Sequence, residues 1–350
     1  MKIFGVTGGG RILDGASVHR IAQYQDFLSF HDIKLDVFYS EINKLSYYNP
    51  QTGIKTIDSL TGKLYDRLKF LDRMGLLFKK RKYDTFWISR SVINYPNLFD
   101  NYFGNYIYDI DDAVWLADAK GSFDKYCRNA KVIFAGNDFL ARYAEAYNKN
   151  VHIVPTAVDT TLFKRENRDQ GRFRIGFFGT SGGYKFIKPL QGELARFLKE
   201  YDAEFCVMGD RYPEELDTLK GRISYIPWKP ERSNGFLNSL SVGIMPLFDT
   251  EWERGKCSYK MLLYMACGIP VIVSAVGMNK EVLKLQEGYG NFGRGIDQGE
   301  EWYDALRYYY NMDKKEREEQ GANAVSVIQD HFSKEKIGNK ILSVIKREYL

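Results

Sequence analysis

Two lysines at the start of a predicted helix are the first candidates for chemistry in this sequence. Helical spacing covers 256–267, and Lys256 and Lys260 fall one turn apart near its beginning. Positive charge there opposes the helix dipole, so helix stability does not explain it. A phosphate bound at the free N–H groups of the helix start would explain it, whereas the simpler alternative leaves both lysines in water.

Three aspartates form a second candidate group, because they follow a predicted strand over 105–108. Asp109, Asp111 and Asp112 lie in the sequence YDIDDAVW. Ligand contacts in open α/β sheets arise at the carboxyl ends of strands. Carboxylates placed there could accept a proton or hydrogen-bond sugar hydroxyls, and they could equally cap a helix.

The elements that must position these residues alternate between strand and helix, which predicts an α/β protein with parallel sheets. At 350 residues the chain is expected to form two units, and the polar segment 164–172 is the best linker between them. The region 300–350 is predicted to be mostly helical. Strand patterns lie at 2–7, 35–39, 85–88, 105–108, 131–135 and 151–154, and again at 173–178, 204–208, 223–226, 242–245 and 271–273.

Glycines follow the first strand of each half of the chain. Gly8 and Gly10 fit part of a dinucleotide-binding fingerprint, but Leu13 stands where its third glycine belongs. Nicotinamide binding is therefore not predicted. Within 253–281, Gly255 is expected to take an unusual backbone conformation before the helix, and Gly268 to end it.

Composition limits the classes of partner. The net charge of +5 fits an anionic ligand or a membrane surface, but it is too small and too scattered to indicate nucleic acid. The four cysteines form no metal-binding pattern, which favours reduced thiols in a cytoplasmic protein. The sequence has no apolar run long enough for a signal peptide or a spanning helix.

A basic amphipathic helix is predicted over 59–82. It combines an apolar leucine stripe with a basic run that ends in KKRK at 79–82. Such a helix can lie on an anionic membrane, and 63–82 is the candidate contact segment. The alternative is an ordinary surface helix with a solvated basic end.

Four motifs, in the right order, resemble the family 4 glycosyltransferases, which have the GT-B fold. The first is KxxxYMACGxPV followed by VGxNxEV, and the others are GGGRILDGASVHRI, YDIDDAVW and IVPTAVDTTLF. The resemblance implies two Rossmann-like parallel-sheet domains that face a central cleft. Residues 1–165 would form the acceptor side and 170–332 the nucleotide-sugar-binding side, with a C-terminal helix of about 333–350 packing back on the first domain.

The resemblance also implies a function. The chain would move a sugar from a nucleotide sugar to a glycan or lipid-linked acceptor in cell-surface polysaccharide biosynthesis, with retained configuration. Asp111 and Asp112 would be catalytic and face the transferred sugar. Matched positions assign the nucleotide-sugar contacts to two glycine loops, the segment beside the base and the stretch with the two lysines: Gly9, Gly10, Gly179, Thr180, Lys185, Pro227, Trp228, Glu253, Gly255, Lys256, Lys260, Gly277, Met278 and Asn279.

No metal ion and no other cofactor is expected. Asp109, Asp111 and Asp112 form a DxDD string, but they belong to the first domain, away from the diphosphate. Lysines and helix N-termini aimed at the leaving diphosphate can take over the stabilising role of a metal.

One departure from the family concerns two glutamates eight positions apart. Gly255 and Leu263 stand at those positions, so the usual carboxylate for the ribose is missing. Glu251 or Glu253 is a candidate replacement for the first. Two other functions on the same fold stay open: a nucleotide-sugar epimerase, and a catalytically inactive partner protein. The expected location is the cytoplasm, with attachment to the inner face of the plasma membrane as a further alternative.

Overall fold

The computed structural model describes residues 1–7, 17–39, 61, 64, 67–68, 71, 74–89, 104–117, 121–166, 171–297 and 302–350. These residues form two compact units. The first contains Met1–Ala157, Gly255–Cys257 and Ile337–Leu350, and the second contains Val158–Arg254 and Ser258–Lys336. The sequence placed the division at 165–170 and at 332, and assigned all of 170–332 to the second domain.

The first unit is built on a six-stranded parallel sheet in the order β2-β1-β3-β4-β5-β6. Its strands are rich in β-branched and aromatic residues and are mostly buried, as expected for strands covered on both faces. Their bounds are β1 Lys2–Val6, β2 Lys34–Phe38, β3 Thr85–Ser89, β4 Ile107–Ile110, β5 Val132–Ala135 and β6 Val151–Ile153.

Helices cover this sheet. Asn137 caps one of them, since its side chain accepts a hydrogen bond of 2.9 Å from Leu140 N. The C-terminal helix Lys334–Tyr349 places Ile341 and Ile345 in the core of the first unit, beside Trp87. The other helices of the unit are Ser17–Ile21, which is a π-helix, the 3₁₀-helices Ala22–Tyr24, Gly75–Lys82 and Val114–Ala117, and the α-helices Gln25–Ser29, Ser122–Asn129 and Asp138–Glu145.

The predicted basic helix is only partly within the described residues. Its last part, Gly75–Lys82, is a 3₁₀-helix rather than the end of a continuous α-helix. Leu76 is buried there, whereas Phe78 is 79% exposed. The Phe78 ring therefore lies at the surface together with the exposed side chains of Lys80, Arg81 and Lys82.

The second unit is built on another six-stranded parallel sheet, in the order β12-β11-β10-β7-β8-β9. The bounds are β7 Phe173–Phe178, β8 Ala203–Gly209, β9 Ile223–Pro227, β10 Val242–Met245, β11 Val271–Ser274 and β12 Gly293–Ile296. The last strand was not predicted, because its sequence GRGI has low strand propensity. It forms because Gly293 and Gly295 let it pack closely against Leu283 and Val271.

The helices of the second unit include the one that carries the lysine candidate. The predicted helix over 256–267 begins later, as Tyr259–Ala266, and Ser258 precedes it with a positive φ of 52°. Gly268 follows with φ of 65°, as predicted for a helix stop. The other α-helices are Tyr184–Ile187, Gln191–Glu200, Pro230–Asn238, Glu251–Arg254, Met278–Lys284, Gln286–Tyr289, Trp302–Asn311 and Lys314–Val327. The unit also has short 3₁₀-helices at Ser181–Gly183, Lys188–Leu190 and Asp217–Leu219, and a π-helix at Ile328–Phe332.

Candidate active site

The side chain of Lys260 lies in a narrow space at the end of β7 in the second unit. Gly179, Gly183 and Phe177 line this space, which we call the Lys260 cradle. A Cβ placed on Gly183 would lie 3.0 Å from Lys260 Nζ and 2.7 Å from Phe177 Cζ, and one placed on Gly179 would overlap Lys260 Cε. The ammonium of Lys260 lies 4.7 Å from the centre of the Phe177 ring. Both glycines are therefore needed to admit the lysine side chain. They hold its charge beside the backbone of the loop that follows the strand.

Tyr264 fixes the helix that carries this lysine. Its hydroxyl oxygen accepts a hydrogen bond of 2.7 Å from Phe178 N, and its ring is fully buried. Residues four apart share a face of a helix, so Lys260 projects from the same side as Tyr264. Leu263, at the position where the resemblance implies a carboxylate, is 1% exposed and packs in the core. An apolar core contact therefore occupies this position.

Hydrogen bonds connect the segments that follow β7, β8 and β9 at their carboxyl ends, beside the cradle. Asp210 accepts hydrogen bonds from Ser181 N at 2.6 Å and from Ser181 Oγ at 3.0 Å. Trp228 N donates to Gly209 O at 2.8 Å, and the Trp228 side chain is 37% exposed just after Pro227. The structure thus brings the predicted Gly179 and Trp228 segments to one edge of the sheet. Asp210 was missed, because no motif marks it.

Two further predicted residues meet each other. Lys185 Nζ lies 3.8 Å from Glu253 Oε1, and the Glu253 carboxylate is buried while the lysine is 60% exposed. Thr250 donates its hydroxyl proton to the other carboxylate oxygen. Thr180 is exposed in the loop before Lys185.

The turn after β11 contains the last predicted group. Gly277 has φ of 52°, and a Cβ there would lie 2.8 Å from Arg254 O, so the position requires glycine. Asn279 is fully buried, with Nδ2 donating to Ser274 O at 3.0 Å. Among the described residues its Oδ1 atom has no hydrogen-bond partner. Met278 is also buried.

The first unit holds the aspartate candidates together with the tripeptide Gly255–Cys257. Cys257 Sγ donates to Asp111 O at 3.1 Å, and Lys256 Nζ lies 4.0 Å from Asp112 Oδ1. A Cβ on Gly255 would lie 2.8 Å from Ala113 N. The tripeptide therefore runs antiparallel to 111–113, one residue against one.

This arrangement corrects two predictions. Lys256 is not in the first turn of a helix with Lys260, because the helix begins at Tyr259 and Lys256 belongs to the first unit. Gly255 is needed for its small size, whereas the positive φ falls on Ser258. Gly9 and Gly10 lie outside the described residues.

The three aspartates have different environments. Asp109 is fully buried and accepts hydrogen bonds from Arg20 Nε and Trp87 Nε1, so it is not a surface carboxylate. Burial raises the pKa of Asp109, and the adjacent Arg20 charge opposes that rise. Asp111 and Asp112 are half-buried beyond the end of β4. Of the three aspartates, these two are the ones that keep partial exposure to solvent.

Two other ionisable groups flank Asp111. Burial lowers the pKa of His19 to about 4, against the attraction of Asp111, so its imidazole is neutral at pH 7. Burial raises the pKa of Cys257 to about 12, so its sulfur is a thiol rather than a nucleophilic thiolate. Within the part of the chain that the structure describes, no three His, Cys, Asp or Glu side chains are grouped to hold a metal ion.

One protein-family model matches a stretch that lies mostly in the second unit. Residues 172–310 match the family model described as "Glycosyl transferases group 1". None of the curated proteins matches the chain. The described residues contain no helix both long enough and apolar enough to cross a membrane.

Solved structures share the fold over the whole chain. A structure of Anabaena HepE in complex with UDP-glucose has a TM-score of 0.71 at 14% identity and covers 99% of this chain and 100% of its own. A Rickettsia africae glycosyltransferase has a TM-score of 0.68 at 13% identity, covering 99% and 98%. A UDP-forming trehalose-phosphate synthase from Burkholderia xenovorans has a TM-score of 0.65 at 12% identity, covering 99% of each chain.

Proposed function

We propose that the chain is a group 1 glycosyltransferase and that it transfers a sugar from a uridine-nucleotide sugar to a glycan or lipid-linked acceptor. The match of residues 172–310 to the group 1 glycosyltransferases supports the predicted glycosyltransferase, and the narrower family 4 assignment stays a prediction. The fold prediction is confirmed by the two six-stranded parallel sheets and by the shared fold.

The cradle of Lys260 is the observation that carries this proposal. Lys260 lies between Gly179 and Gly183 at the carboxyl end of β7. Because glycine has no side chain, the positive charge of the lysine lies directly beside the backbone of the loop. Ligands of open α/β sheets bind at such ends, and a glycine loop lets phosphate oxygens approach the backbone closely. A diphosphate suits this combination of charge and space.

The same cradle supplies a catalytic effect. When the bond between sugar and diphosphate breaks, negative charge grows on the leaving phosphate oxygens. A cation that is already fixed stabilises that charge without having to reorganise, and such preorganised groups contribute strongly to catalysis. Because Tyr264 and Phe177 hold the lysine helix and the ammonium in place, Lys260 meets this requirement.

The nucleotide contacts extend from the cradle along the sheet edge. Trp228 offers a partly exposed indole for stacking on the base, and Thr180 lies exposed in the glycine loop. Glu253 and the Gly277–Asn279 turn are assigned to the sugar end of the donor. UDP is the proposed nucleotide because the similar Anabaena protein was solved with UDP-glucose and the similar Burkholderia enzyme is UDP-forming.

In the first unit, Asp111 and Asp112 are the proposed catalytic carboxylates. Asp112 is paired with Lys256, and Asp111 has neutral His19 beside it. We assign to them the orientation of the transferred sugar through its hydroxyl groups. Retained configuration, independence from metal ions and a place in cell-surface polysaccharide synthesis are parts of the same proposal.

Nucleotide release tests the function. The protein is incubated with UDP-glucose and other nucleotide sugars, in EDTA, with and without glycan and lipid-linked acceptors, and free UDP is measured. Release that requires an acceptor is expected. A changed sugar without an acceptor would indicate an epimerase. If neither UDP release nor a changed sugar is observed, the result would indicate an inactive partner protein.

Membrane attachment is a separate part of the proposal. Phe78 is 79% exposed, and Lys80, Arg81 and Lys82 are exposed next to it. Apolar and basic side chains at one surface favour binding to an anionic bilayer. The apolar side chains insert between the lipids, and the basic side chains contact the negatively charged head groups. The inner face of the plasma membrane is the proposed location.

Vesicle flotation tests this attachment. Phosphatidylcholine vesicles containing phosphatidylglycerol should bind the protein, and replacement of the four basic residues at 79–82 by glutamine should abolish binding. The matched control replaces four exposed lysines of the second unit by glutamine: Lys199, Lys220, Lys314 and Lys315. Equal flotation of both variants would contradict the assignment.

A further inference from the structure

A buried ion pair in the first unit has no part in the nucleotide contacts. Arg20 Nε lies 2.8 Å from Asp109 Oδ1, and the two side chains are 2% and 0% exposed. Moving two charges out of water costs several kcal/mol per ion, and apolar residues in place of such a pair are often neutral or stabilising. Stability alone therefore does not explain why the core of this unit contains the pair.

The pair connects three strands of the sheet. Arg20 lies in the Ser17–Ile21 helix, and its Nη1 donates to Val154 O at 2.7 Å, just beyond β6. Asp109 lies in β4, and its second oxygen accepts a hydrogen bond of 3.1 Å from Trp87 Nε1 in β3. Nη1 also lies 3.3 Å from Thr156 Oγ1. The guanidinium thereby ties β4 to the segment that follows β6, while Asp109 itself ties β4 to the adjacent strand β3.

The proposed catalytic carboxylates come directly after the strand that Arg20 fixes. β4 ends at Ile110, and Asp111 is the next residue, two positions after Asp109. Asp111 and Asp109 both interact electrostatically with the Arg20 charge and raise its pKa against the effect of burial. Cys257 and His19 also interact with Asp111, and both are uncharged at pH 7.

One donor of Arg20 is left over. Its Nη2 atom is buried and has no hydrogen-bond partner among the described residues. A buried polar atom without a partner costs about 1–3 kcal/mol, so such atoms call for a functional reason. The fold therefore contains two unfavourable features at Arg20, the buried ion pair and the unpartnered nitrogen, and Asp111 interacts electrostatically with the same guanidinium.

We propose that Arg20 is a positioning residue for Asp111. By joining Asp109 to Val154 and Thr156, the guanidinium fixes the end of β4 and, with it, the place and direction of the Asp111 carboxylate. The inference rests on the proposed function, since it assigns Arg20 a part in sugar transfer. Arg20 does not touch the substrate; it acts through Asp109 and the strand.

The test is a double substitution that removes both charges together. Arg20→Met with Asp109→Asn avoids an unpaired buried charge and keeps an acceptor for Trp87 Nε1. We expect kcat for acceptor-dependent UDP release to fall on the order of 100-fold, as for a misplaced catalytic group. The KM for UDP-glucose and the melting temperature should stay close to those of the unmodified protein. A kcat equal to that of the unmodified protein would overturn the proposal.

Arg20→Lys provides the second variant if the double variant does not fold. It keeps the charge opposite Asp109 but loses the fork that also reaches Val154 and Thr156. We expect an intermediate kcat, reduced about tenfold, with an unchanged KM for UDP-glucose. Full activity of this variant would contradict the positioning role.

The matched control is Arg317→Met in the second unit. Arg317 also has a buried nitrogen without a partner among the described residues, and it donates to Tyr309 O and Met312 O at 2.9 Å. Its loss should lower the melting temperature without changing kcat. An unmodified protein that releases no UDP would contradict the proposed function. If the unmodified protein is active and both Arg20 variants have the same kcat as it has, only the role of Arg20 would be contradicted.

Discussion

Lys260→Met separates the charge of the cradle from its packing. Methionine keeps an unbranched apolar stem that can lie against Gly179 and over the Phe177 ring, but it carries no ammonium. The ammonium lies 4.7 Å from the centre of that ring, and a cation–π contact of this kind contributes on the order of 1 kcal/mol. The free energy of unfolding should therefore change by no more than about 1 kcal/mol.

Catalysis should change far more than stability. Removal of one preorganised group that faces developing negative charge lowers kcat by about 10²–10³-fold, or roughly 3–4 kcal/mol of transition-state stabilisation. The KM for the nucleotide sugar should also rise, because the ground-state diphosphate loses the same charge. Initial rates of UDP release over a range of UDP-glucose concentrations give both constants, and urea unfolding gives the stability.

Gly183→Ala tests the space beside the ammonium. Its Cβ would lie 2.7 Å from Phe177 Cζ and 3.0 Å from Lys260 Nζ, so the lysine or the ring must move. The change in kcat should have the same direction as for Lys260→Met. The control is Lys188→Met, which removes an exposed lysine of the same unit and should leave both kinetic constants unchanged. A Lys260→Met enzyme with the kcat and KM of the unmodified protein would refute the role of the cradle.

Three further predictions concern single residues. Ser258 adopts φ of 52°, which costs a non-glycine residue about 1 kcal/mol. Ser258→Gly should therefore raise the free energy of unfolding by up to about 1 kcal/mol. A free energy of unfolding below that of the unmodified protein, measured in urea, would contradict this. His19 has a pKa lowered to about 4 in the fold, so the unfolded chain binds the extra proton first, and stability should fall as the pH drops from about 6.5 towards 4. Urea unfolding of His19→Gln should lack this portion of the pH dependence, and an identical pH profile would contradict the lowered pKa of His19. Because burial raises the pKa of Cys257 to about 12, iodoacetamide at pH 8 should leave this thiol unmodified in the folded protein, as mass spectrometry of its peptide would show; rapid labelling there would contradict the packing.

Much of the fold follows from local sequence patterns. The buried β-branched strands and the Gly268 stop were predictable because a short stretch of sequence determines each of them. β12 was not predictable, since Gly293 and Gly295 disfavour a strand and only the contacts with Leu283 and Val271 make them fit. Propensity fails where tertiary packing decides the outcome.

The site was predictable only in part, for a related reason. Helical spacing placed Lys256 and Lys260 together, but the positive φ of Ser258 interrupts the backbone between them, and no residue type announces such a turn. The pairing of Arg20 with Asp109 joins residues 89 positions apart, and no local pattern marks it. Lys260 was proposed from its place near a helix start and Asp111 from its place after a strand and from the family motifs, and both roles stay predictions.

A crystal structure of the protein with bound UDP tests the central claim most directly. The diphosphate should lie in the loop after β7, with a phosphate oxygen within ion-pair distance, about 4 Å, of Lys260 Nζ, and with the uracil beside Trp228. A UDP molecule bound elsewhere, with Lys260 still lying over Phe177 and no phosphate near Gly179, would contradict the account.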